Sequence, residues 1–276
     1  MNQSRQEYIS EGLHRHLDEF LKCYPNLELL GIFIQGSQNY DLDIYEEDYK
    51  SDIDTKAIVI PSLEDIVMNR KPISTTHILP NNEHLDIKDI RLYCDAFKKQ
   101  NINFVEILFA CSYLIIKEYE SFWESLVKNR ELIAHYNTNQ AIRCIAGMSM
   151  EKKKALCHPY PTIKDKIDKY GYDGKQLHHI IRLFDFITCY CLGGDFATCL
   201  HFQPHKEEML KAKKNEYSLE EAIAKANQFD FLINEIKKIN LKEKDEINKE
   251  ALELLNNFKF NVIKKKLLTD LGKELY

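Results

Sequence analysis

The sequence predicts a chain of mixed α and β structure, an α/β domain followed by a helical domain, on three observations. Before Lys117, short runs rich in Val, Ile, Leu and Phe alternate with stretches of helical periodicity. After Lys117 the strand-like runs fade and helical periodicity dominates. Pro25-Asn26, Pro61 and Pro80-Asn81-Asn82 punctuate the first half where those runs end. The boundary is therefore placed at Lys117, giving domains 1–117 and 118–276.

In chain order, Ser4 to Tyr24 reads as a helix, because Ile9, Leu13, Leu17, Phe20 and Leu21 recur at helical spacing between Glu, Arg and Lys. Leu27 to Gln35 has the length and density of a buried strand, and Gly36-Ser37 follows at once. A polar loop covers Gln38 to Lys50, and Asp52 to Ile60 is the second strand. A short helix is expected over Leu63 to Asn69. Strands are expected over Thr75 to Leu79 and His84 to Lys88, helices over Asp89 to Lys99 and Asn103 to Ala110, and a last strand over Tyr113 to Ile116. Helical periodicity then marks 119–129, 138–157, 173–190, 218–238 and 244–273.

Composition narrows the function classes. With 276 residues, 44% hydrophobic and 29% charged, the chain can bury a substantial core. A formal net charge of −5 argues against a bulk nucleic-acid coat protein, so any RNA contact must come from a local patch. Eight cysteines without a CxxC pair match neither a zinc ribbon nor a disulfide framework, so the thiols are read as reduced and the location as cytoplasmic. No run approaches the ~18 apolar residues of a membrane span, and the N-terminal stretch lacks the apolar centre of a signal peptide.

The chemistry sits in two linked stretches. Gly31 to Ser37 is an apolar strand ending in Gly36-Ser37; after the loop comes Ser51-Asp52-Ile53-Asp54-Thr55-Lys56. On a strand, Asp52 and Asp54 project to one face while Ile53 and Ala57 project to the other. Two ionised carboxylates side by side repel unless a cation lies between them. Mg²⁺ favours carboxylate oxygens together with substrate phosphates, and a metal pair can clamp the attacking and leaving oxygens of an in-line displacement. Gly36 lets backbone amides approach a phosphate, the Ser37 hydroxyl can donate to one, and Lys56 continues the Asp52/Asp54 face. Asp86, in His84-Leu85-Asp86-Ile87-Lys88, is the expected third carboxylate, with Glu83, Asp89 and Glu106 as competitors. Either half of the constellation alone is commonplace as a turn or a solvated strand edge; the ordered combination is what points to a site.

Gly36-Ser37 followed by Asp52-x-Asp54 resembles the signature of the DNA polymerase beta-like nucleotidyltransferase superfamily. A longer resemblance is to its RNA-repair-linked branch of predicted nucleotidyltransferases, which includes phage-encoded members. Gln38-Asn39-Tyr40-Asp41-Leu42 stands where that branch has a Tyr-Gly-Leu-like element, with Asp41 in place of the Gly and a longer loop to Asp52. The stretch from Lys169 to Leu183, with Gly171-Tyr172-Asp173-Gly174-Lys175 and then His179 and Arg182, resembles that branch's Gly-Tyr-Asp-x-Lys…His-x-x-Arg helix. Lys175, His179 and Arg182 share one helix face, and Asp173 is placed to cap the helix.

The resemblance implies a small mixed sheet carrying the catalytic site, Mg²⁺ or Mn²⁺ held by Asp52, Asp54 and Asp86, and an NTP such as ATP as donor. Ser37 and Lys175 would hold the β and γ phosphates, and Gly36, Lys56, His179 and Arg182 complete the expected nucleotide contacts. The acceptor is expected to be an RNA 3′ end, tRNA-like, as in RNA repair. A protein or small-molecule acceptor, or a catalytically silent RNA-binding module, remains as an alternative.

Overall fold

The computed structural model describes residues 4–47 and 49–274. By contacts the chain forms two compact units: the segment up to Tyr136 together with that from Ile247 onward, and Asn137–Glu246.

The first unit opens with helix α1 (Arg5–Cys23), begun by a reciprocal capping box between Ser4 and Glu7. Then come β1 (Glu28–Gln35), a 3₁₀ turn over Gly36–Tyr40, β2 (Asp54–Ile60), α2 (Leu63–Val67), β3 (Ser74–Ile78) and β4 (His84–Asp89). Next are α3 (Ile90–Lys98), α4 (Ile102–Val105), β5 (Tyr113–Ile115), α5 (Glu120–Lys128) and α6 (Arg130–Ala134). The strands form a mixed sheet in the order β3-β4-β2-β1-β5. Only β2 and β4 run parallel; the other neighbours are antiparallel. Parallel pairing needs a crossover, and here α2 and the edge strand β3 supply it.

Alternation divides the sheet faces. Ile32, Ile34, Ile53, Ala57, Val59, Leu85 and Ile87 point to the face covered by Ile9, Leu13 and Phe20 of α1. The opposite face carries Phe33, whose ring lies 4.4 Å from that of the buried Trp123 on α5. Asp54, Lys56 and Asp86 belong to this second face.

Helix α1 presses on the sheet at Gly12, where a Cβ would lie 2.8 Å from both Cγ atoms of Ile53. Alanine there gains about 1 kcal/mol of helix propensity but overpacks the core at a cost of about 1–3 kcal/mol. Gly12→Ala is therefore expected to lower the urea unfolding midpoint with an unchanged m-value.

The second unit contains α7 (Thr138–Ala155), α8 (Lys164–Tyr170), α9 (Gly174–Cys191), α10 (Phe196–His201), α11 (Lys206–Lys213) and α12 (Leu219–Asn240). Helix α9 is its axis, buried along most of its length and packed by α7, α10, α11 and α12. The final helix, α13 (Lys249–Glu274), returns to the first unit and lies against α2, α3, α5 and α6.

This division differs from a boundary at Lys117. Helices α5 and α13 carry the periodicity expected of them, but their apolar faces cover the sheet unit: Trp123 packs on Phe33 and Phe258 of α13 on Trp123. Periodicity shows that a helix has a buried face; it does not show which neighbour that face meets.

Candidate active site

β1 delivers the chain to the site. Its last residue, Gln35, pairs with Asp54, the first residue of β2, so the bend leaving β1 sits beside the entry into β2. Gly36 makes that bend at φ +83°, a conformation open to glycine at little cost. Its N–H donates to Glu106 Oε1 at 3.1 Å. The amide expected to approach a phosphate is therefore held by a buried carboxylate. Ser37 follows, half-buried, and its hydroxyl has no hydrogen-bond partner among the described residues.

Side chains of the 3₁₀ turn tie the bend down on both sides. Gln38 donates from Nε2 to the Asp52 carbonyl at 2.7 Å. Asn39 donates to the Ile34 carbonyl at 2.9 Å and accepts from the Cys111 N–H at 3.1 Å. Arg5 donates to the Gln38 carbonyl at 3.1 Å and forks onto Asp43 at 2.6 and 2.8 Å. Asp41, standing where the resembled element has Gly, adopts φ 55° and ψ 37°. Asp is one of the few residues that enter this left-handed region readily. Asp41→Gly is expected to change stability by less than about 0.5 kcal/mol, since strain relief offsets a weak, exposed ion pair to Arg5. Asp41→Val is expected to cost about 1–2 kcal/mol, because a β-branched side chain clashes at positive φ. Urea titrations of both variants read the contrast.

Asp52 is exposed and lies ahead of β2, which begins at Asp54 rather than at Asp52. Strand alternation therefore does not orient Asp52, and its position comes from its neighbours. Between the two aspartates, the Ile53 N–H donates to Glu83 Oε1 at 3.2 Å, while the Ile53 side chain is buried under Gly12. Glu83 is buried and also receives Arg15 at 2.7 Å and the buried His16 Nε2 at 3.1 Å. His16 Nδ1 in turn lies 2.7 Å from the Thr55 hydroxyl. Burial opposes ionisation of Glu83, but the hydrogen bonds from His16, Arg15, Asn81 and the Ile53 amide outweigh it and hold its pKa down to about 2. Glu83, weighed as a ligand, thus positions the Asp52–Asp54 backbone from the opposite face.

Asp54 is half-buried. Its Oδ1 accepts the His84 N–H at 2.9 Å and lies 3.3 Å from His84 Nδ1. Asp86 is on the neighbouring parallel strand, in register with Lys56. Lys56 Nζ lies 3.7 Å from Asp86 Oδ2, and Lys88 Nζ lies 4.0 Å from Asp86 Oδ1. Both ammonium groups sit over the Phe104 ring, at 4.7 and 5.2 Å from its centroid. Lys56 is 5% exposed. Burial lowers its pKa, against the opposing pull of Glu106, Asp86 and Asp54. It faces the carboxylates as a buried counter-charge. The oxygens of Asp52, Asp54 and Asp86 do not all lie within 4.8 Å of one another, a spacing met among the described residues by a different group, Glu19, Cys23 and His77.

In the second unit, Asp173 caps α9, accepting the Lys175 N–H at 3.1 Å. Lys175 is exposed, His179 half-buried and Arg182 buried. Burial, with His178 and the cations Lys152, Arg182 and Lys175 nearby, drives the His179 imidazole well below its usual pKa. Burial also lowers the Lys152 pKa, and Lys175 and Arg182 lower it further. Lys152 therefore joins the basic cluster expected from α9. In the Lys152-Lys153-Lys154 run its neighbours turn away: Lys153 pairs with Asp230 and Lys154 with Glu151. His178 is buried, its pKa lowered by burial to about 3, with Nδ1 against the Met209 carbonyl.

No helix among the described residues is long and apolar enough to cross a membrane. No protein-family model matches the chain, and no curated protein matches it. Among solved structures, the chain is similar to a nucleotidyltransferase-like protein from Exiguobacterium sibiricum 255-15, at 11% identity over 93% of this chain and 80% of that one, with a TM-score of 0.28.

Proposed function

We propose that this chain is a divalent-metal-dependent nucleotidyltransferase that moves a nucleoside monophosphate from an NTP to an acceptor hydroxyl, with an RNA 3′ end as the acceptor. The observation that supports this reading best is the placement of Asp54 and Asp86 on one face of adjacent parallel strands, beside the Gly36 bend. The donor set fits Mg²⁺ or Mn²⁺ by its chemistry: hard carboxylate oxygens, partly open to solvent, with Asp52 exposed at the margin. When bound, such an ion supplies Lewis-acid stabilisation of charge on the transferring phosphoryl group.

The chain's own residues do the rest. Asp52, Asp54 and Asp86 are the metal-binding carboxylates. Asp86 also orients the attacking hydroxyl and takes its proton as the hydroxyl oxygen attacks the α-phosphorus and pyrophosphate leaves. The Ser37 hydroxyl donates to a phosphate oxygen. Lys56 and Lys88 offset the negative charge gathered around Asp86. The resemblance carries Lys175, His179 and Arg182 over as nucleotide contacts, and within the second unit Lys152 stands near them.

Incubation with each α-labelled NTP, Mg²⁺ or Mn²⁺, total RNA and total protein tests the proposal. Label on RNA that depends on Asp54 supports it. Label on protein instead keeps the chemistry and replaces the acceptor. No transfer, with Asp54→Asn matching the wild type in NTP binding, overturns it.

A further inference from the structure

Away from the candidate active site, Glu19, Cys23 and His77 offer three ligand atoms that all lie within 4.8 Å of one another. Glu19 and Cys23 are one helical turn apart on the last turns of α1 and so share a face. His77 comes from β3, the edge strand of the sheet. Cys23 Sγ is 3.3 Å from Glu19 Oε1, and His77 Nε2 is 3.4 Å from the same oxygen. In tetrahedral Zn²⁺ sites, ligand bonds of about 2.0–2.3 Å place neighbouring ligand atoms about 3.3–3.6 Å apart. Those two edges already have that length without any ion.

The orientation of His77 is a second observation. Its Nε2 is buried and faces the Glu19 carboxylate at 3.4 Å, without a well-aligned hydrogen bond among the described residues. Its Nδ1 lies 3.4 Å from the Tyr24 hydroxyl, and the two rings meet edge to face at 5.7 Å. Tyr24 can partner Nδ1 as donor or acceptor; when Nδ1–H donates to the phenol oxygen, the Nε2 lone pair is free to bind a metal ion on the Glu19 side. Metal-binding histidines are commonly oriented by such a bond from the other ring nitrogen. The Lys22 ammonium, at 3.6 Å, engages the other carboxylate oxygen, Glu19 Oε2, and leaves Oε1 to the cluster.

We propose that Glu19, Cys23 and His77 form a Zn²⁺ site that staples the C-terminal end of α1 to the sheet edge at β3. The thiol and imidazole select a borderline ion such as Zn²⁺ over Mg²⁺ or Ca²⁺. Cys23 is exposed, so the fourth position opens to solvent and takes water. On binding, the Cys23 thiol gives its proton to solvent and the thiolate forms the Zn–S bond.

Titration of the full chain with Co²⁺, as a spectroscopic stand-in for Zn²⁺, tests this. The expected result is one equivalent bound with a sulfur-to-cobalt charge-transfer band, lost completely in Cys23→Ser and in His77→Gln and displaced by Zn²⁺. Asp54→Asn retains the band, so the outcome is independent of the nucleotidyltransferase reading. Zn²⁺ also raises the thermal midpoint of the wild type but not of His77→Gln, with far-ultraviolet circular dichroism confirming that each variant is folded. A charge-transfer band unchanged by Cys23→Ser, or no band at all with excess Co²⁺, would reduce the cluster to a hydrogen-bonded thiol, carboxylate and imidazole and overturn the proposal.

Discussion

Asp54→Asn is expected to lower nucleotide transfer by about 10³-fold or more with little change in thermal stability. The rate loss follows from the metal-binding role proposed for Asp54. Weakening a metal ligand forfeits several kcal/mol of stabilisation in the transition state, and about 4 kcal/mol corresponds to about 10³-fold. The stability expectation follows from the structure. The asparagine side chain keeps a carbonyl oxygen where Oδ1 of Asp54 now accepts the His84 N–H, so the contact from β2 to β4 persists. Label transfer from an α-labelled NTP, with a melting curve on the same sample, reads both quantities. A large fall in melting temperature would move Asp54 from chemistry to folding.

Glu83→Ala is expected to produce the largest loss of stability, about 3 kcal/mol, because one carboxylate serves several donors. Its removal strands the buried His16 ring and the Ile53 N–H, and breaking a buried charge network from one side is strongly destabilising. Transfer activity should fall with it, since the Ile53 amide is the tether between Asp52 and Asp54. The same group sets an acid limb. Its pKa of about 2 in the folded protein lies below the ordinary 4.5, so the contribution is fully present above 4.5 and is lost as pH falls from there toward 2. That difference corresponds to about 3 kcal/mol. Urea unfolding across that interval should show the wild type losing stability more steeply than Glu83→Gln, whose residue 83 carries no titratable carboxyl.

The strands and the long helices were legible because their signals are local. Leu27 to Gln35 and the second strand read correctly to within two residues, and the helix expected from Ser4 begins at Arg5 with Ser4 as its cap. Of the short helices, those expected over Leu63 to Asn69 and Asn103 to Ala110 were legible beside the strands, and those of the second unit were not. Lys164–Tyr170, Phe196–His201 and Lys206–Lys213 are each too brief to display a period, and the latter two are held by packing on α9. At the site, Asp54 and Asp86 could be placed on one face from alternation alone. The support beneath them could not. His16 reads as one more residue of an amphipathic helix, and nothing local announces that it bridges Glu83 and Thr55. Lys56 looked like a phosphate ligand because it continues the Asp52/Asp54 face; its burial against Phe104 and Asp86 depends on residues about 30–50 positions away and has no sequence signature. Asp41 had a readable cue, since an Asp standing for a Gly suggests a left-handed backbone, and that is what it adopts.

The most direct test of the central claim is anomalous diffraction from crystals grown with Mn²⁺ and an NTP analogue that cannot be cleaved between its α and β phosphates. The expected result is a manganese peak coordinated by Asp54 and Asp86, with the triphosphate beside Ser37. A nucleotide bound elsewhere, with no manganese at those two aspartates, would contradict it.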